Sequence, residues 1–391
     1  MRRALLGALV AVLLMPQGVD ASSAAPVERV TVLVMFEDSV GVAARAPLHV
    51  RAGGIVTGTL PEVSVDRVSV PALGVAIYEA SPVVRAVEAP RTYRIFGRGS
   101  NDPLVGLQWG LRALNAFDAW RLESGRKKDV SVAVLDTGID ATHVDLEGKV
   151  EEGFDYTELD EDTYDDEGHG THVSGIIAAN VGNRIGVAGL SPGASIIPMK
   201  VCEASGACLG FPILAAAIDS AQRGADVINM SLGGPGQCSE IEQAVFGWVR
   251  DQGTLAVAAS GNQAQEGNPS IAPANCDNTL GVGAIDQRRH KAEFSSYGDF
   301  VDIAAPGVEI WSTYPPLASI TSLYIGYASG SGTSMASPFV AAAAALVKAR
   351  HPNWSPDRIE KKLMATATDV GPRGRDELFG AGILNLVRAL R

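Results

Sequence analysis

The sequence predicts an α/β protein: a three-layer α/β/α domain on a mainly parallel sheet, preceded by a small α+β unit. Three observations carry this. From residue 129 onward, short apolar runs alternate with helix-periodic stretches, the pattern of right-handed crossovers in a parallel sheet covered on both faces. Before residue 100 the apolar stretches are short and strand-like, without that alternation. The length of 391 residues exceeds one average domain and leaves no room for several large ones beside a leader.

Taken in order, Arg2 and Arg3 precede an apolar run over residues 4–15, followed by the small residues Ala21, Ala24 and Ala25. This reads as a secretory signal over residues 1–24, because the run is shorter than the roughly 20 apolar residues a spanning helix needs. The protein is therefore expected outside the cell, without a membrane anchor. Residues 25–99 form the small unit, with strand-like stretches at 29–36, 63–70, 75–78 and 83–87. The segment Gly97-Arg98-Gly99-Ser100-Asn101-Asp102-Pro103 then reads as an exposed, cleavable hinge. Residues 100–391 form the large domain. Its strands are predicted at 130–135, 195–201, 227–231, 255–259 and 280–285, and its helices at 172–180, 212–223, 240–252, 335–350 and 357–365.

Apolar residues make up 46% of the chain and charged residues 19%, an ordinary globular balance. The net charge of −12 argues against nucleic acid, whose phosphates require a basic face. A monomer is expected. The four cysteines of an exported chain suggest two disulfides. Cys202 and Cys208 flank a short loop containing glycine, which leaves Cys238 and Cys276 as the other pair, although four cysteines permit three connectivities. A zinc knuckle is disfavoured, since no C-x2-C pair is present.

Four segments carry chemistry. Asp136 ends an apolar strand before Gly138, His169 stands between Gly168 and Gly170, Ser334 sits in a glycine-rich loop entering an alanine-rich helix, and Asn262 follows another strand. Each has a bland reading: a turn aspartate, a loop histidine, a helix cap, a loop amide. Together they supply what acyl transfer by a serine requires. A hydroxyl needs a base, the base needs a carboxylate to fix its tautomer, and the oxyanion needs donors. His172, one helical turn beyond His169, leaves a two-histidine metal site as a weaker reading.

Asp136-Thr137-Gly138, His169-Gly170-Thr171-His172 and Gly332-Thr333-Ser334-Met335-Ala336, with Ser260-Gly261-Asn262, resemble the signatures of the subtilisin-like serine peptidases, in the chain order Asp, His, Ser. The resemblance runs from about residue 105 to the C-terminus. It implies Asp136 as orienter, His169 as base, Ser334 as nucleophile, and Asn262 with the Ser334 N–H as oxyanion donors. It implies that Ser231, Leu232, Gly233 and Gly234 bind the substrate backbone as an added strand. It also implies a calcium loop in which Asp145, Asn183 and the carbonyls of Val181, Ile185 and Val187, with Asp102, act as ligands. No organic cofactor is expected. Protein or peptide substrates and the chain's own propeptide, residues 25–99, are the implied partners. Ser174 departs from the alanine usual after the His-Val pair. The acidic run Asp160, Glu161, Asp162, Asp165, Asp166 and Glu167 reads as a solvated loop or a second ion site. The rival function is a catalytically silent relative kept as a binding protein. The intact set of Asp136, His169, Ser334 and Asn262 speaks against it.

Overall fold

The computed structural model describes residues 29–90, 100–126, 129–316 and 324–391. The expected signal segment and residues 97–99 of the hinge lie outside the described residues. The chain divides into two compact units between Ile95 and Phe96.

In the N-terminal unit, β1 (Arg29–Phe36), α1 (Val42–Ala52), β2 (Ile55–Leu60), β3 (Val65–Pro71), α2 (Val75–Glu79) and β4 (Val84–Glu88) follow in order. The strands make one antiparallel sheet in the order β2-β3-β1-β4. Val32, Val34 and Phe36 alternate inward along β1 and meet Val68, Val70 and Tyr78 in a small core. Arg45, His49 and Asp66 are buried beside it: Asp66 accepts from Arg45 at 3.3 Å and from His49 Nε2 at 3.1 Å. His49 Nδ1 lies 2.8 Å from the Tyr78 hydroxyl. The apolar stretch 75–78, expected as a strand, is helix α2. A short apolar run does not by itself distinguish the two, and here a tight helical turn over Ala72–Gly74 leads directly into the helix.

The second unit begins with the short helices α3 (Trp109–Ala113) and α4 (Ala116–Ala119), then β5 (Ser131–Asp136), β6 (Phe154–Asp155), α5 (His169–Ala178), β7 (Ser195–Lys200), α6 (Gly210–Gln222), β8 (Val227–Met230) and β9 (Gly234–Pro235). It continues with α7 (Glu240–Asp251), β10 (Leu255–Ala259), β11 (Ile271–Ala272), β12 (Thr279–Ile285), β13 (Ile303–Pro306), β14 (Ile310–Thr313) and β15 (Tyr327–Gly330), and closes with α8 (Thr333–Arg350), α9 (Pro356–Thr366) and α10 (Leu386–Ala389). Seven strands form one sheet in the order β13-β12-β10-β8-β5-β7-β6, with every pairing parallel.

The period-two alternation of β5 sorts its side chains between the layers. Val132 and Val134 enter the apolar cluster that includes α5 and α8, whereas Ala133 and Leu135 enter the one that includes α6 and α7. Asp136 shares the parity of Val132 and Val134, so its carboxylate points into the layer whose helices begin with His169 and with Thr333-Ser334. The chain goes from β5 to β6 and β7 on one side, then crosses to β8 on the other. The carboxyl end of β5 is thus a topological switch point, where ligands of open α/β sheets bind. Helix α8 is buried on nearly all sides, as its run of five alanines permits.

Candidate active site

Asp136, His169, Ser231, Asn262 and Ser334 line one cleft of about 650 Å³ at the carboxyl ends of β5, β8 and β10. Asp136 is buried, and its Oδ1 accepts from the Thr137 N–H at 2.8 Å and from His169 Nδ1 at 2.7 Å. That bond fixes the tautomer and leaves Nε2 free of Asp136. Burial pulls the His169 imidazolium down. The charge and hydrogen bond of Asp136, helped by Glu167 and Asp165, outweigh it and lift the pKa to about 9.

Helix α5 begins at His169, three residues earlier than the periodicity predicts. Its start is held by Asp165, which is buried and not part of a solvated loop. Asp165 Oδ1 accepts from the Gly168 N–H at 2.7 Å, and Oδ2 from the N–H and hydroxyl of Thr171 at 2.8 and 2.6 Å. This carboxylate does the work of a cap from outside the helix. The glycine at 170 serves a contact within the protein. A Cβ there would lie 2.1 Å from the Gly138 carbonyl oxygen, so the absence of a side chain lets the β5 turn and α5 close on each other.

His172 is fully buried, its Nε2 within 3.0 Å of the Ile310 carbonyl and 3.2 Å of that of Ala328. Burial, with the neighbouring His169, lowers its pKa to about 4. Facing two carbonyls, Nε2 acts as a donor and stays protonated, so the two-histidine metal reading fails. Among the described residues no cluster of three His, Cys, Asp or Glu side chains is placed to hold a metal. Ser174 is buried and its hydroxyl donates to the Gly170 carbonyl at 2.7 Å, a bond internal to α5.

Ser334 is the second residue of α8, where backbone N–H groups have no partner within the helix. Its Oγ donates to the Ser231 carbonyl at 2.9 Å, and its own carbonyl accepts from Ser231 Oγ at 2.8 Å. The second bond has a sequence cause: Pro338, four residues on, lacks the N–H that would claim the Ser334 carbonyl. Asn229 supports this junction, donating to Ser231 Oγ at 3.0 Å and accepting from Ser337 Oγ at 2.8 Å. Asn262 Oδ1 accepts from the Thr333 N–H at 2.9 Å and the Thr333 hydroxyl at 3.0 Å, which leaves Nδ2 as the group directed past Gly332. Beyond Ser231 the backbone of Gly233 and Gly234 is exposed along the cleft, with Leu232 half-buried between.

Asp165 supports the start of α5 in place of the solvated-loop or second-ion role expected of it, and Thr333 and Asn229 join the site without having been expected there. The available signals were Asp165 three residues before Gly168, Thr333 inside the Gly332-Thr333-Ser334 motif, and Asn229 two residues before Ser231.

The loop after α5 gathers the expected ligand set in part. Asp145 is fully buried, and accepts from Asn183 Nδ2 at 2.7 Å and from the Val187 N–H at 2.8 Å. Asp102 is buried too and accepts from the N–H groups of Gly182 and Arg184. Ile185 donates its N–H to Asn183 Oδ1 at 2.9 Å, and the Val181 carbonyl receives the Arg126 guanidinium at 2.7 Å. Burial pushes the Asp145 carboxyl up to about 6 against these hydrogen bonds, and the Asp102 charge adds to the rise. Two buried carboxylates and the Asn183 amide are the hard oxygen groups that calcium prefers, while the Val181 carbonyl is taken by Arg126 and the Asn183 amide oxygen by the Ile185 N–H. Both disulfides are present, Cys202 with Cys208 and Cys238 with Cys276.

An imidazole held by a buried carboxylate shares one cleft with a serine at a helix N-terminus, at the switch point of a parallel sheet, and these are the groups that serine hydrolases use. Known proteins narrow that class. Residues 127–382 match the profile of the subtilase family. Over 263 residues the chain is 44% identical to Subtilisin Savinase of Lederbergia lenta, covering 67% of this chain and 91% of that protein. It is 37% identical over 293 residues to Thermitase of Thermoactinomyces vulgaris, covering 74% and 99%. Among solved structures, one of the proteases from Pseudoalteromonas arctica superimposes with a TM-score of 0.66 at 32% identity, covering 75% of this chain and 98% of that one. The chain belongs to the subtilase family and is a serine endopeptidase, with peptides as substrates.

Proposed function

We propose that this endopeptidase works through Asp136, His169 and Ser334, with Asn262 and the Ser334 N–H as oxyanion donors. The observation that carries the reading is the 2.7 Å bond from His169 Nδ1 to the buried Asp136, in the cleft that Ser334 also lines. Rotation of Ser334 about χ1 moves its hydroxyl from the Ser231 carbonyl toward His169 Nε2. As Oγ attacks the scissile carbonyl, Nε2 takes its proton, and the negative oxygen of the tetrahedral intermediate meets Asn262 Nδ2 and the Ser334 N–H. The C–N bond then breaks, His169 returns the proton to the leaving amine, and water repeats the cycle on the acyl-enzyme. Ser231 to Gly234 offer their backbone edge to the substrate strand.

The protein is proposed to be exported by residues 1–24 and made as a precursor whose residues 25–99 are removed by its own activity. Asp102, Asp145, Asn183 and the carbonyls of Val181, Ile185 and Val187 would hold a structural calcium ion. It acts as a monomer. Among the described residues no helix is long and apolar enough to cross a membrane.

The test is expression of the precursor beside Ser334→Ala. The parent is expected to yield a shortened enzyme that digests casein, with a new N-terminus between residues 95 and 105. The variant should stay at precursor length and inactive. A variant that matures alone and digests casein would remove Ser334 from the mechanism.

A further inference from the structure

The peptide group that joins Glu167 to Gly168, just before His169, is gripped at both poles. Its N–H donates to Asp165 Oδ1 at 2.7 Å, and its carbonyl accepts from the Tyr314 hydroxyl at 3.1 Å. In a trans peptide these two groups point in opposite directions, so the two bonds together fix the tilt of the plane. The grip matters because Gly168 is left-handed, with φ 115°, and a glycine beside a peptide plane lets it rotate with little steric resistance. A Cβ on Gly168 would lie 2.4 Å from Tyr314 Cζ, so the phenol ring also rests directly on that backbone.

Tyr314 is itself anchored. It follows β14, its N–H donates to the Gly326 carbonyl at 2.8 Å, and the two residues before it reach α5 as well. Thr313 Oγ1 donates to the Thr171 carbonyl and Ser312 Oγ to that of His172, both at 2.7 Å. Those two bonds meet carbonyls whose direction the helix already sets, whereas Tyr314 holds one that lies before the helix. Burial, with the charges of Glu167 and Asp165, raises the Tyr314 pKa above its ordinary value, so the hydroxyl remains a donor at alkaline pH.

What the plane controls is the base. The His169 N–H donates to Glu167 Oε2 at 2.8 Å, and its Nδ1 to Asp136 at 2.7 Å. A rotated plane between residues 167 and 168 would carry His169 off both carboxylates. We propose that Tyr314 is a positioning residue for His169, which keeps the imidazole on Asp136 by locking the Glu167–Gly168 peptide. This rests on His169 as the general base. Tyr314 is not among the residues that line the described cleft, so its action is on the loop.

The experiment compares kcat, KM and the pH profile of kcat/KM for the mature parent, Tyr314→Phe and Tyr314→Ala. Active sites are counted by titration with a serine-directed phosphonate, so that folding yield does not enter. Tyr314→Phe keeps the ring and removes the hydroxyl. It is expected to lower kcat roughly two- to tenfold, the equivalent of one ordinary hydrogen bond, with KM unchanged. Tyr314→Ala should approach the loss of about 10²-fold that a misplacement of ~1 Å produces. The groups facing His169 are Asp136, Glu167 and Asp165, which favour its charged form, and His172, which stays neutral. A loosened loop takes the imidazole away from the carboxylates, so in both variants the acid limb of the profile should move to lower pH. Tyr314→Phe decides the matter if the alanine variant fails to mature. Parental kcat in the variants, or a raised KM with kcat unchanged, would overturn the assignment. So would a fall in kcat with the acid limb in place, which a structural defect alone produces. A His169→Ala precursor that still matures and digests casein would overturn the reading beneath it as well.

Discussion

Which end of the Asn262 amide faces Ser334 is set by Thr333, whose two donors both take Oδ1. The motif Gly332-Thr333-Ser334 thus holds the proposed nucleophile and the residue that orients the Asn262 amide, and only the former is legible from residue type. Asp165 is similar: its carboxylate acts on backbone N–H groups across a turn, and sequence gives no measure of that contact. His169 raises a question of pH. Its pKa near 9 exceeds the ordinary 6.5, so the fold stabilises the imidazolium. That stabilisation is complete below about pH 6.5 and is lost as pH rises through about 9. Catalysis needs the neutral ring, so kcat/KM should climb with pH through an ionisation well above 6.5, while His169's contribution to stability declines over the same range. Glu167, whose Oε2 accepts from the His169 N–H at 2.8 Å, contributes to the rise. Glu167→Gln is expected to move the acid limb of the kcat/KM profile to lower pH. A limb that stays in place would remove Glu167 from this electrostatic account.

The central strands are legible because strands buried on both faces are apolar along their length, and β5, β7, β8, β10 and β12 stand where the runs predict. The two-residue strands β9 and β11 are not legible, since they are defined by their partner and not by their own side chains. The loop between α5 and β7 falls between these cases. Its glycines and Asn183 suggest a ligand loop, but the burial of Asp145 appears only in the fold. With a carboxyl raised from 3.8 to about 6, Asp145 favours the folded state when protonated. Its contribution is therefore full below about pH 3.8 and is lost as pH rises through about 6, leaving a buried charge that a cation would relieve. With inactive Ser334→Ala protein, to prevent self-digestion, calcium at 100 times its Kd should add about 2.7 kcal/mol. At about 2–4 °C per kcal/mol this is several degrees in Tm. Adding Asp145→Asn should abolish the gain and flatten the loss of stability between pH 4 and 7 in the absence of calcium. An equal gain from calcium in the Asn variant, followed by calorimetry, would show that the ion binds elsewhere.

At the scale of the molecule the second unit carries every catalytic motif, whereas the first carries none, and only its position and strand pattern suggested a role in maturation. The first unit does contain a weak point that makes that role testable. Asp66, 2% exposed, accepts from Arg45 and His49, and Arg45 is itself 3% exposed. Replacing Asp66 by alanine leaves a buried guanidinium without its partner, a change that costs about 3–5 kcal/mol. A unit of about 60 residues has roughly 3–9 kcal/mol of stability in all, so the loss should unfold most of it. If residues 25–99 guide folding of the peptidase domain, Asp66→Ala precursor should give at least tenfold less mature enzyme, counted by titration with an active-site phosphonate. The molecules that do mature should show the parent's kcat/KM, because the altered residue has been removed from them. Parental yield from a precursor whose N-terminal unit is unfolded would mean that the catalytic unit folds without it, and that residues 25–99 serve some purpose other than assisting folding.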